Sequence, residues 1–201
     1  MPASSFTDPH TASPAGAAGE FSGEEKQQLL ELARAAIATQ LAGEPAPALP
    51  ENPRLHQAGA CFVTLESSGS LRGCIGSLNA RRPLVEDVLH NARAAAFDDP
   101  RFPPLTIAEL SRVEISISVL TPPEAFPVKN EADLLQSLRP GIDGLLLEDG
   151  AYRATFLPSV WEQLPTPAAF LAQLKRKAGL TAHHWSPTIR FSRYRTIEFS
   201  E

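Results

Sequence analysis

The chain has 201 residues, 43% of them hydrophobic and 20% charged, with a formal net charge of −5 and a pI near 5.6. That length supports one sizeable domain or two small lobes, and the acidic balance lacks the broad positive field on which nonspecific nucleic-acid binding depends. No apolar run approaches the roughly 20 residues needed to cross a membrane, nothing at the N-terminus has the basic and apolar regions of a secretory signal, and two cysteines without such a signal point to reduced thiols in a cytoplasmic setting.

Residues 1–20 are rich in Ala, Ser, Pro, Gly and Thr without apolar periodicity, which predicts a disordered tail ahead of a folded region over 21–201. Ser22 followed by Glu25 fits a capping box, and Leu29, Leu30, Ala33, Ile37 and Leu41 recur at helical spacing up to Ala42-Gly43. Four prolines between Pro45 and Pro53 make the next stretch an extended connector. Cys61 to Glu66 and Leu71 to Leu78, separated by Ser67-Ser68-Gly69-Ser70, predict a β-hairpin.

Behind Pro83 the period changes. Val85, Val88, Leu89, Ala92 and Ala96 form one helical stripe, with Glu86, Asp87, His90 and Arg93 on the opposite face, and Asp98-Asp99-Pro100 ends the helix. Val113, Ile115, Ile117 and Val119 alternate with Glu114, Ser116 and Ser118, as in a strand with one wet face. Asp149-Gly150 between Gly144–Glu148 and Ala151–Phe156 is a strong hairpin signal. Two short helices follow, near Ser159–Gln163 and Pro167–Ala178. Ile189, Phe191, Ile197 and Phe199 mark a closing strand or strand pair broken around Arg193–Arg195. Hairpins and nonrepeating β-α order predict an α+β fold, a largely antiparallel sheet flanked by helices.

The run Leu71-Arg72-Gly73-Cys74-Ile75-Gly76 departs from an ordinary core strand. In a regular strand Leu71 and Ile75 face one way while Arg72 and Cys74 share the other face. Two glycines in six residues predict a bulge or a ligand close to the backbone. An arginine beside a thiol favours the thiolate, so Cys74 is the candidate nucleophile and Arg72 its activator or the holder of an anionic substrate. The backbone at Gly73, Ile75 and Gly76 offers anion-binding N–H groups, although no helix follows as in a phosphate loop. His56 and His90 are the candidate bases by proximity in sequence.

The same hexapeptide, with Asn91–Phe97, Asp99–Leu105, Val119–Pro123 and Phe156–Pro165, resembles the AMMECR family, whose prokaryotic members are called AmmeMemoRadiSam system protein A. The resemblance covers roughly residues 21–201. It implies two unequal lobes with a cleft between them and an association with a Memo-like protein and a radical SAM protein, but no settled reaction. Asn91 and Arg101 lie in the resembling stretches. Arg101 either pairs with a nearby carboxylate and holds its loop or binds an anion at the cleft.

Blander roles stand beside these. Cys61, within Ala60–Val63, reads as a buried small hydrophobe, though a redox pair with Cys74 stays open. His183-His184 lack further ligands at zinc spacing, so no metal is assigned, and no cofactor is assigned either. Trp161 and Trp185 read as packing aromatics, and Lys175-Arg176-Lys177 as a solvated helix end. Three functions follow: a thiol-dependent enzyme or accessory factor, a noncatalytic interaction or substrate-presenting module, and, least favoured by charge, a nucleic-acid binder.

Overall fold

The computed structural model describes residues 20–201, and the expected tail lies outside the described residues apart from Glu20. Helix α1 (Gly23–Ala42) opens on the expected capping box: the Ser22 hydroxyl accepts from the Glu25 N–H at 3.1 Å, and the Glu25 carboxylate accepts from the Ser22 N–H at 2.8 Å. It closes on Gly43 at φ 70°, the left-handed conformation that glycine adopts without a Cβ penalty.

After the connector come β1 (Ala58–Gly59), β2 (Cys61–Ser67), β3 (Ser70–Gly76), β4 (Arg82–Pro83) and α2 (Leu84–Phe97). The β2–β3 turn is Ser68-Gly69, both at positive φ, the geometry that matches the twist of a tight hairpin. A four-residue helix, α3 (Ile107–Leu110), precedes β5 (Val113–Leu120). Strands β10 (Thr196–Ser200), β5, β2 and β3 form one antiparallel sheet in that order. Its inner face packs Val63, Leu65, Ile115 and Ile117 against Leu29, Ala33 and Ile37 of α1 and Val88, Ala92 and Ala95 of α2. Its outer face carries Thr64, Ser116 and Ser118, the wet face that the alternation predicts.

Between β5 and β10 the chain builds a second, smaller lobe: β6 (Glu124–Ala125), α4 (Glu131–Ser137), β7 (Gly144–Asp149), β8 (Tyr152–Phe156), a 3₁₀ turn (Pro158–Glu162), α5 (Pro167–Lys177) and β9 (Arg190–Tyr194). The strand order is β6-β9-β7-β8, again antiparallel. The fold is therefore α+β with two lobes, as expected. The predicted break around Arg193–Arg195 is where the chain leaves one sheet for the other. There the Thr121 N–H donates to the Arg195 carbonyl (2.8 Å) and the Arg195 N–H to the Thr121 hydroxyl (2.9 Å), which ties the two crossings together.

Trp161 stacks on Phe170 with centroids 3.9 Å apart, and Trp185 lies against Phe191, so both tryptophans pack the second core. Two expectations are corrected. Lys175 is not solvated: it is 0% exposed, with Nζ 2.9 Å from Glu131 and 5.5 Å from the Trp185 ring. Asp87 is not on a polar outer face but 1% exposed, because it serves as an acceptor for the hairpin beneath it.

Candidate functional site

The geometry of Cys74 follows from a bulge. Thr64 pairs with Cys74 and Leu65 with Gly73, but Glu66 pairs with Leu71, so Arg72 is the extra residue. The bulge corrects the regular alternation: Leu71 sits opposite exposed Glu66 rather than over the core, and is 42% exposed, while Ile75 opposite Val63 packs on the core. The glycines are explained by the protein's own packing. A Cβ at Gly73 would fall 2.1 Å from the Ala95 carbonyl oxygen of α2, and one at Gly76 would fall 2.3 Å from the Phe62 ring.

Cys74 is half-buried on the outer face, its Sγ accepting from the Thr64 hydroxyl at 3.3 Å. Strand β3 is the sheet edge, and the loop after α2 supplies what a further strand would. The Asp99 carboxylate accepts the Cys74 N–H at 2.9 Å, and Arg101 donates to the Cys74 carbonyl at 3.2 Å. Arg101 and Asp99 are joined by two charged hydrogen bonds of 2.9 and 2.7 Å. The Arg101 guanidinium holds Asp99 well below the usual carboxylate range, helped by the Cys74 and Arg101 N–H groups against the cost of burial. In return Asp99, and to a smaller extent the Cys74 side chain, raise Arg101. Arg101 thus pairs with a carboxylate and fastens its loop to the Cys74 backbone.

Arg72 turns elsewhere. Its Nε and Nη2 donate to Glu109 at 2.9 and 3.4 Å, and it shares the Phe102 ring with Arg101, the two guanidinium carbons 5.9 and 5.5 Å from the centroid. Its Nη1 is buried without a hydrogen-bond partner among the described residues. Glu109 is pulled from the ordinary 4.5 to about 2, first by Arg72 and then by Thr106. A lowered carboxylate stabilises the fold above its unfolded value and loses that contribution as pH falls toward the folded one. Urea denaturation is therefore expected to show stability falling between about pH 4.5 and 2, with a shallower fall in Glu109→Gln.

Asn91 stands apart from the thiol. It is 1% exposed and donates Nδ2 to the Cys61 carbonyl and to Asp87, each at 3.0 Å, which fastens α2 to β2. Cys61 is fully buried, burial pushing its thiol well up, and both cysteines are free. His56 bonds the Pro50 carbonyl at 2.7 Å and His90 is exposed on α2. Asp99, Phe102 and Glu109 are the participants that sequence inspection passed over, although the capping pair Thr106 and Glu109 was a local sign of α3.

Between the lobes lies a cavity of about 410 Å³, lined from one side by Gly59, Leu120 and Pro122 and from the other by Leu146, Ala154 and Lys177. None of Arg72, Gly73, Cys74, Ile75, Gly76, Asn91 or Arg101 lines it.

The family model described as AMMECR1 matches residues 30–199. A protein of Methanothermobacter thermautotrophicus is 38% identical over 185 residues, 90% of this chain and 96% of its own length. One from Methanocaldococcus jannaschii is 34% identical, covering 89% of this chain and 90% of its own. Among solved structures, an uncharacterized protein of Pyrococcus horikoshii superposes with a TM-score of 0.78 at 33% identity, over 90% of this chain and 93% of that one.

Proposed function

The chain belongs to the AMMECR1 family, and from that premise we propose that it is a thiol-dependent enzyme or accessory factor whose reactive group is Cys74, acting in the cytoplasm with a Memo-like protein and a radical SAM protein. The observation that carries this reading is a half-buried thiol at a sheet edge, bonded by the Thr64 hydroxyl, with Arg101 donating to the Cys74 carbonyl. The thiolate is the nucleophilic form of a cysteine. Among the described residues no histidine bonds the thiol. Arg72 keeps one buried donor, Nη1, unused, and this is the group assigned to an anionic part of the substrate.

Peptide mapping after brief iodoacetamide treatment tests the reading. Cys74 is expected to be labelled in the native protein and Cys61 only after unfolding, since Cys61 is 0% exposed. Labelling of Cys74 that also waits for unfolding would count against a reactive thiol.

A second reading rests on exposed Leu71, the first residue of the hexapeptide, which suits a noncatalytic docking surface for the same two partners. It predicts co-purification with them that Arg72→Ala abolishes while Cys74→Ser does not.

A further inference from the structure

The interlobe cavity combines an apolar body with one uncompensated cation. Leu120, Pro122, Leu146 and Ala154 supply apolar walls around about 410 Å³, room for a small organic molecule. The hydroxyls within it make little demand on a ligand. The Thr155 and Tyr194 hydroxyls lie 2.8 Å apart, with the Leu145 and Phe156 carbonyls within bonding distance, so both hydroxyl protons have acceptors inside the protein.

Of the two cations on the lining, Arg153 is already committed. It pairs with Glu148 at 3.1 Å and donates to Asn79 across the lobes at 3.1 Å. Lys177 is different. Its Nζ donates to the Thr155 carbonyl at 3.0 Å and lies 5.1 Å from the Phe156 ring, and among the described residues no carboxylate pairs with it. An ammonium has three donors, so two remain at the edge of an apolar chamber. A polar ligand such as a nucleotide would leave most of its polar groups unmatched there.

We infer that this cavity binds a small amphiphilic organic acid, its apolar body between the lobes and its carboxylate on Lys177. Such a ligand touches both lobes, and the inference does not depend on the Cys74 reading. Calorimetric titration of the full chain with octanoate and with 1-octanol tests it. Octanoate is expected to bind saturably and about tenfold tighter than the alcohol, the equivalent of one charged hydrogen bond. Lys177→Met should bring octanoate down to the alcohol's affinity. Ala80→Trp, at an exposed position on the cavity lining, should abolish binding of both while leaving the circular dichroism spectrum intact. Cys74→Ser should bind octanoate as the native chain does. Equal affinity for acid and alcohol, no saturation at millimolar octanoate, or native affinity in both Lys177→Met and Ala80→Trp would overturn the assignment.

Discussion

Asp87→Ala is expected to lose about 3–4 kcal/mol of stability, the sum of several charged hydrogen bonds removed from a buried site. One carboxylate accepts the Cys61 N–H at 2.9 Å, the Ser77 hydroxyl at 2.8 Å and the Asn91 amide at 3.0 Å, with Arg82 at 3.3 Å. Alanine supplies no acceptor, and the Cys61 N–H, at the start of the central strand β2, is left inside the protein without one. Asn91 retains the Cys61 carbonyl and Arg82 can turn to water, so the loss falls short of a stranded buried charge. Exposed Glu86→Ala, one residue earlier on α2, is the control and should stay within about 0.5 kcal/mol. Urea denaturation followed by circular dichroism gives both values, and a loss under 1 kcal/mol for Asp87→Ala would show that the network contributes little.

Gly73→Ala is the second large effect, about 3 kcal/mol or more from overpacking. The added methyl would meet the Ala95 carbonyl of α2 at 2.1 Å, and backbone cannot swing aside as a flexible side chain can. Gly69→Ala separates this from a conformational penalty: Gly69 has φ of 72° and no neighbour within 4 Å, so alanine there should cost only about 1–2 kcal/mol. The Gly73 contact matters for the site as well. It brings the end of α2 against β3, and the loop that follows α2 carries Asp99 and Arg101 onto Cys74. Equal losses at the two glycines would mean that the close approach of α2 is not what requires Gly73.

Local signals in the chain were legible and distant pairings were not. The capping box of α1, the hairpin signalled by Asp149-Gly150 and the alternation of β5 each depend on neighbours in sequence; the first and last appear where expected, and the hairpin forms with its turn one residue later, at Gly150-Ala151. The alternation at Leu71 failed because one bulged residue reverses every face beyond it. Lys175 looked solvated because its partner Glu131 lies 44 positions away. Arg72 looked like the partner of Cys74 because it is two residues distant, yet its acceptor Glu109 comes from 37 positions further on. The short helices α3 and α4, of 4 and 7 residues, offer too few turns for a periodic pattern. At the candidate site, the hydrogen bond from Arg101 to the Cys74 carbonyl came only from the loop's return to the sheet edge.

The most direct test of a thiol governed by Arg101 is the ratio of alkylation rates of Cys74 with iodoacetate and iodoacetamide, measured with Cys61→Ser as background. The two reagents share their leaving group and differ in charge. A guanidinium at the thiol should raise the ratio in the native protein above that of the unfolded chain, and Arg101→Met should return it to the unfolded value. A native ratio that matches the unfolded chain and is indifferent to Arg101→Met would contradict the account.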